Sequence, residues 1–152
     1  MRRSDGDSPG WVQAEKDAEL TIFLPGGVPV FFRRIPKGEF RMGSSGRGEA
    51  EEPVQLAEEP VHVVKINAPF YLGTFPVTQE QYRAMAPLAG LDPEPSEFKD
   101  REDSARCPVE RVNWDEAMAV CRKLTEADCF REALERAGLM AREWQVGVPS
   151  EA

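Results

Sequence analysis

A chain of 152 residues has room for one domain, and its 41% hydrophobic and 30% charged residues are those of an ordinary globular protein. Nineteen basic against 27 acidic residues leave a net charge of −8, which argues against nucleic acid or an anionic membrane as the main partner, since both demand a basic patch. The longest uncharged stretches, such as Leu20 to Phe32, contain Pro and Gly and fall short of the ~18 apolar residues of a membrane-spanning helix, so no membrane span is expected.

The chain opens MRRSDGDSPG, where Asp5, Asp7 and Pro9 replace the apolar core of a signal peptide, so no cleaved signal is expected. Residues 1–17 read as a flexible polar leader and residues 18–152 as the domain. Leu20 to Leu24 and Val28 to Ile35 are β-type runs around Pro25-Gly26-Gly27, together a β-hairpin. Pro29 suits an edge or the start of its strand, because it has no N–H for the ladder. Glu39 to Met42 gives a third short strand after the turn at Pro36-Lys37-Gly38. Gly43 to Glu59, with five glutamates in seventeen residues, reads as a long exposed loop. A strand is expected again at Val61 to Ile66, with Phe70 to Gly73 following.

Two helix starts are marked by capping boxes, Thr78-Gln79-Glu80-Gln81 and Asn113-Trp114-Asp115-Glu116. Tyr82 and Met85 would share a face of the first helix. In the second, Trp114, Ala117, Cys121 and Leu124 recur at helical spacing as an apolar stripe, and helical texture runs on through Phe130, Ala133, Leu134 and Ala137 to a C-cap at Gly138. Pro87 to Asp103 is Pro-rich and acidic, hence loop. Strands, loop, strand, helix, loop, helix make an α+β pattern rather than alternating βαβ units.

Chemistry is hard to find in this order of residues. No phosphate-binding glycine motif is present, and the spacing of Gly43, Gly46 and Gly48 matches neither a dinucleotide fingerprint nor a nucleophile elbow. His62, Cys107, Cys121 and Cys129 lie too far apart in sequence to supply the short ligand pairs of a structural zinc site. The odd set of cysteines implies no disulfide framework and suits a cytoplasmic protein. Cys121 falls on an apolar helix face, where a buried inert thiol is expected, and Cys129 lacks even that context. His62, in a Val-rich strand, has no recognisable base–orienter partner. Glu49, Glu51, Glu52, Glu58 and Glu59 do not have the spacing of a calcium loop and read as a solvated charge run. Trp114 and Trp144 read as packing residues. No catalytic, cofactor-binding or metal residue is assigned.

Five segments nevertheless stand in a familiar order. Ile35-Pro36-Lys37-Gly38-Glu39-Phe40-Arg41-Met42-Gly43-Ser44 resembles the IPxGxFxMGS opening of the formylglycine-generating enzyme family, the sulfatase-modifying factors. Glu58-Glu59-Pro60-Val61-His62-Val63-Val64 is similar to its ExPxHxV strand, and Pro76-Val77-Thr78 with Tyr82 to its PVTxxxY helix start. Pro108-Val109 with Val112-Asn113-Trp114-Asp115-Glu116-Ala117 and Cys121 resembles PVxxVSWxDAxxxC, and Val148 to Ala152 resembles the start of RLPTEAEWEYA. The resemblance implies a C-type-lectin-like α+β fold with much irregular chain, here incomplete. Trp114, as the first helical residue, would then lay its ring on neighbouring structure.

Complete relatives oxidise a substrate cysteine to formylglycine with copper and oxygen, using a cysteine pair in the C-terminal half of the domain. Cys121 alone matches a family position, on the scaffold helix, so no catalytic residue carries over. Gly147 and Val148 stand where the family has Arg and Leu. Arg106-Cys107-Pro108-Val109-Glu110-Arg111 approaches the substrate motif CxPxR, but Pro108 follows the cysteine directly and the spacing is wrong. A single histidine does not suffice for the His-rich iron bundle of the ergothioneine-type relatives. The expectation is therefore a truncated family member, inactive by itself, whose partner is a protein or the missing C-terminal half. The alternative is a non-catalytic lectin-like module whose loops bind a protein or ligand.

Overall fold

The computed structural model describes residues 19–43 and 60–149. Strand β1, Glu19–Phe23, pairs antiparallel with β2, Pro29–Ile35, so that Leu20 lies opposite Phe32 and Ile22 opposite Val30. Between them Pro25–Gly27 forms a single 3-10 turn in which Gly26 and Gly27 take φ of 81° and 79°, a conformation that side-chain-bearing residues avoid. Pro29 is the first residue of its strand, where the ladder does not need its missing N–H.

Strand β3, Gly38–Met42, leaves this sheet and pairs with β4, His62–Ile66, as a separate two-stranded ribbon. Strand β5, Phe70–Gly73, returns to β2 with Ile35 opposite Phe70, giving the order β1-β2-β5. The residues expected as a leader, and all but Gly43 of the acidic loop, lie outside the described residues.

Both capping boxes form. Thr78 precedes α1, Gln79–Met85: its Oγ1 accepts from Gln81 N at 3.2 Å while its own N–H donates to Gln81 Oε1 at 3.0 Å. Tyr82 and Met85 are both buried, as their spacing predicts. The chain tightens into a 3-10 turn at Ala86–Ala89 before the irregular loop. Asn113 caps α2, Trp114–Glu126, by the same exchange with Glu116, at 3.0 and 2.9 Å.

The structure corrects two expectations here. The buried side of α2 centres on Val120 and Leu124, and Trp114, about 100° round the helix from their midpoint, is 66% exposed rather than packed on a neighbour. The helical texture also breaks: Ala127 is extended, and α3 begins afresh at Asp128–Arg136. A straight helix would turn Phe130 and Ala133 roughly 120–180° away from Leu124. The bend at Ala127 returns them to the core, where Phe130, Ala133 and Leu134 are all buried. Gly138, at φ 71°, ends α3 with the paired bonds of a Schellman motif, Leu139 N to Leu134 O and Gly138 N to Glu135 O.

The core is a two-layer one. Leu20 and Ile22 of β1 meet α3, Val30, Phe32 and Tyr71 extend the same sheet face, and Tyr82, Met85, Val120 and Leu124 join it from the other helices. After a 3-10 turn at Ala141–Glu143 the chain runs extended: Trp144 packs edge-on against Tyr71, ring centres 5.3 Å apart, and Val146 N–H donates to Thr125 Oγ1 at 2.9 Å. No helix of the described residues is long and apolar enough to cross a membrane.

Candidate functional site

The start of α1 is held from three directions. Val109 N–H donates to Val77 O and Gln79 N–H to Cys107 O, each at 2.9 Å, so the Pro76-Val77-Thr78 and Cys107-Pro108-Val109 segments lie side by side, with Thr78 bridged to Pro108. Gln81, already committed to the cap, sends its Nε2 to Pro29 O at 2.8 Å and so ties the helix to the first residue of β2. Two segments distant in sequence are thereby fixed beside the β1–β2 turn.

A groove of about 470 Å³ opens there, lined by Val28, Pro29 and Phe31, by Phe75, Pro76 and Thr78, and by Glu80, Gln81, Ala105, Arg106 and Pro108. Its aromatic residues are unusually open to solvent, Phe31 at 49% and Phe75 at 72%. Sequence reasoning used Phe31 only as a strand residue and gave Glu80, Phe75 and Arg106 no role. Phe75 reaches Phe31 through the β2–β5 pairing and Arg106 reaches both through the Thr78–Pro108 bridge, contacts that no local signal announces.

The residues weighed for chemistry stay apart. His62 is the first residue of β4, opposite Met42, and is exposed, with Nδ1 3.1 Å from Pro60 O. Cys107 sits in the loop, its Sγ 3.6 Å from Asp103 O. Burial pushes the thiols of Cys121 and Cys129 above their ordinary value, for Cys129 against lowering contacts from its own backbone and that of Phe130. Both are free thiols, and that shift opposes the thiolate a nucleophile or metal ligand needs. The acidic run of Glu49, Glu51, Glu52, Glu58 and Glu59 lies outside the described residues.

Among the described residues no three of His, Cys, Asp and Glu gather closely enough to hold a metal ion.

The outer side of the three-stranded sheet is the other notable surface. By register Phe23, Phe31, Phe70 and Leu72 share this side, all exposed, with the Arg33–Glu19 ion pair among them at 2.8 Å. On the separate β3–β4 ribbon Phe40 and Met42 are exposed as well.

Comparison with known proteins matches residues 32–152 to the sulfatase-modifying factor enzyme 1-like domain. Among solved structures, variable protein 1 of Treponema denticola is similar at 26% identity and a TM-score of 0.54, over 71% of this chain and 34% of that one. The chain thus spans about a third of the length of that relative. No curated protein matches.

Proposed function

The chain belongs to the sulfatase-modifying factor enzyme 1-like family, whose domain matches residues 32–152, and from that premise we propose that it is the scaffold portion of a domain that in complete form oxidises a substrate cysteine to formylglycine. On this reading the oxidising cysteine pair and its copper belong to the C-terminal part of the family's domain. The described residues supply the sheet and helices on which that part rests.

The observation that supports this reading is the apolar outer face of the sheet. Phe23, Phe31, Phe70 and Leu72 on one side of a three-stranded sheet are too many aromatic and aliphatic residues to leave in water without a covering layer. The covering layer is then the remainder of the domain, and the cytoplasm is the compartment in which it acts.

The reading frame after the Ala152 codon tests the proposal. An in-frame continuation carrying two further cysteines supports the oxidase. A frame without such a pair overturns it.

A second reading, a non-catalytic binding module, draws on the groove beside α1. Its mostly apolar lining and few polar groups are what a recognition site needs. In that case the scaffold is complete in function without oxidative chemistry.

A further inference from the structure

We propose that the groove beside the start of α1 binds an extended peptide that presents an apolar side chain between one basic and one acidic residue. This assignment rests on the reading of the chain as a binding module, because it needs Phe31 open to a ligand rather than beneath a covering layer.

The groove's volume, about 470 Å³, falls within the range of roughly 300–1,000 Å³ typical of ligand sites. Phe31 and Phe75, the two exposed rings, line it together with Val28. Pro29, Pro76 and Pro108 line it too, and none has a backbone N–H to offer. Those three positions offer a ligand no main-chain donor, which leaves more of its recognition to side chains.

Two of those are charged and of opposite sign, Glu80 and Arg106. Among the described residues neither has an ion-pair partner, so both charges are open to a ligand. A lining that holds a carboxylate, a guanidinium and two aromatic rings complements a ligand bearing both charges around an apolar group. Nucleic acid and anionic lipid bring only negative charge, which Glu80 and the net charge of −8 oppose. A peptide brings both.

The wall is also set before a ligand arrives. Thr78 and Gln81 are held by the capping box, Gln81 is bound to Pro29 O, and Pro108 is bridged to Thr78. Little ordering remains to be done on binding.

The test uses the 152-residue chain and end-capped, fluorescently labelled peptides with a central phenylalanine. Two carry one lysine and one aspartate as flanks, in either order, and two carry only lysine or only aspartate. One mixed peptide should bind best, by about tenfold over the like-charged pair. Phe75→Ser should abolish that binding with an unchanged circular dichroism spectrum. The double exchange of Glu80→Arg with Arg106→Glu should reverse the preferred order of the flanks, a readout that mere loss of folding does not give. Equal binding of all four peptides, binding of none, or an unreversed preference in the double variant would overturn the proposal.

Discussion

The side-chain amide of Gln81 donates to the carbonyl of Pro29 at 2.8 Å, across 52 residues of sequence, while its oxygen accepts from the backbone of Thr78. One side chain thus serves a local rule, the capping box, and a tertiary one, the attachment of α1 to the central strand. Removing Gln81 should therefore cost more than removing the cap. Thr78→Ala is expected to lose about 1 kcal/mol. Gln81→Leu should lose about 2 kcal/mol, because the Pro29 carbonyl and the Thr78 N–H both lose their partner. Gln81→Glu keeps the cap acceptor and sets a carboxylate oxygen where the amide donated, so it should fall between them. Urea unfolding of the three variants checks the order.

The exposed position of Trp114 sets up a second comparison. Trp114→Ala should change stability by less than about 0.5 kcal/mol, as surface substitutions away from special contacts do. Leu134, 1% exposed, should cost about 2–5 kcal/mol when truncated to alanine. Similar losses from both variants, measured by denaturant midpoints, would return Trp114 to the core.

Alkaline pH should weaken the fold. Burial raises the thiols of Cys121 and Cys129 above an ordinary value of 9.0, and burial, followed by the Glu116 and Asp92 carboxylates, raises the Tyr82 hydroxyl above 10.0. Each group holds its proton more tightly in the folded chain than in the unfolded one. Their contribution is fully present below the unfolded values and is lost as pH rises through the raised ones. The urea midpoint should accordingly be level between pH 7 and about 8 and fall above about 9. A midpoint that rises across that window contradicts the assignment. Thiol labelling should follow the same curve, with Cys121 and Cys129 slow at neutral pH.

The apolar outer face should declare itself in solution. The 152-residue chain is expected to bind a hydrophobic dye or self-associate, and Phe31→Gln combined with Leu72→Gln should reduce both without loss of helical signal. A monomer that binds no dye would mean that the face is already covered.

Much of this architecture was legible from local chemistry. The turn at Pro25 to Gly27, the two capping boxes and the glycine stop at Gly138 each rest on the backbone needs of a few adjacent residues, and each stands where it was expected. What stayed hidden depends on contacts distant in sequence. The break at Ala127 carries no proline or glycine and exists because Phe130 and Ala133 must face the same core as Leu124. Trp114 fits a helical period yet lies at the margin of the buried stripe, which periodicity alone does not resolve. The groove was invisible for the same reason, since Phe31, Phe75 and Arg106 come from three segments that only contacts distant in sequence bring together, among them the β2–β5 pairing, the Thr78–Pro108 bridge and the Gln81–Pro29 bond.

Whether these residues are the scaffold of a cysteine-oxidising domain rather than its catalytic centre can be decided by aldehyde formation. A cysteine-containing sulfatase peptide would be incubated with copper and oxygen, either with the 152-residue chain or with the product of the complete gene, and the aldehyde captured with a hydrazide probe. Labelled peptide is expected from the complete product and none from the 152-residue chain. Label from the chain alone, or none from the complete product, would contradict the scaffold role.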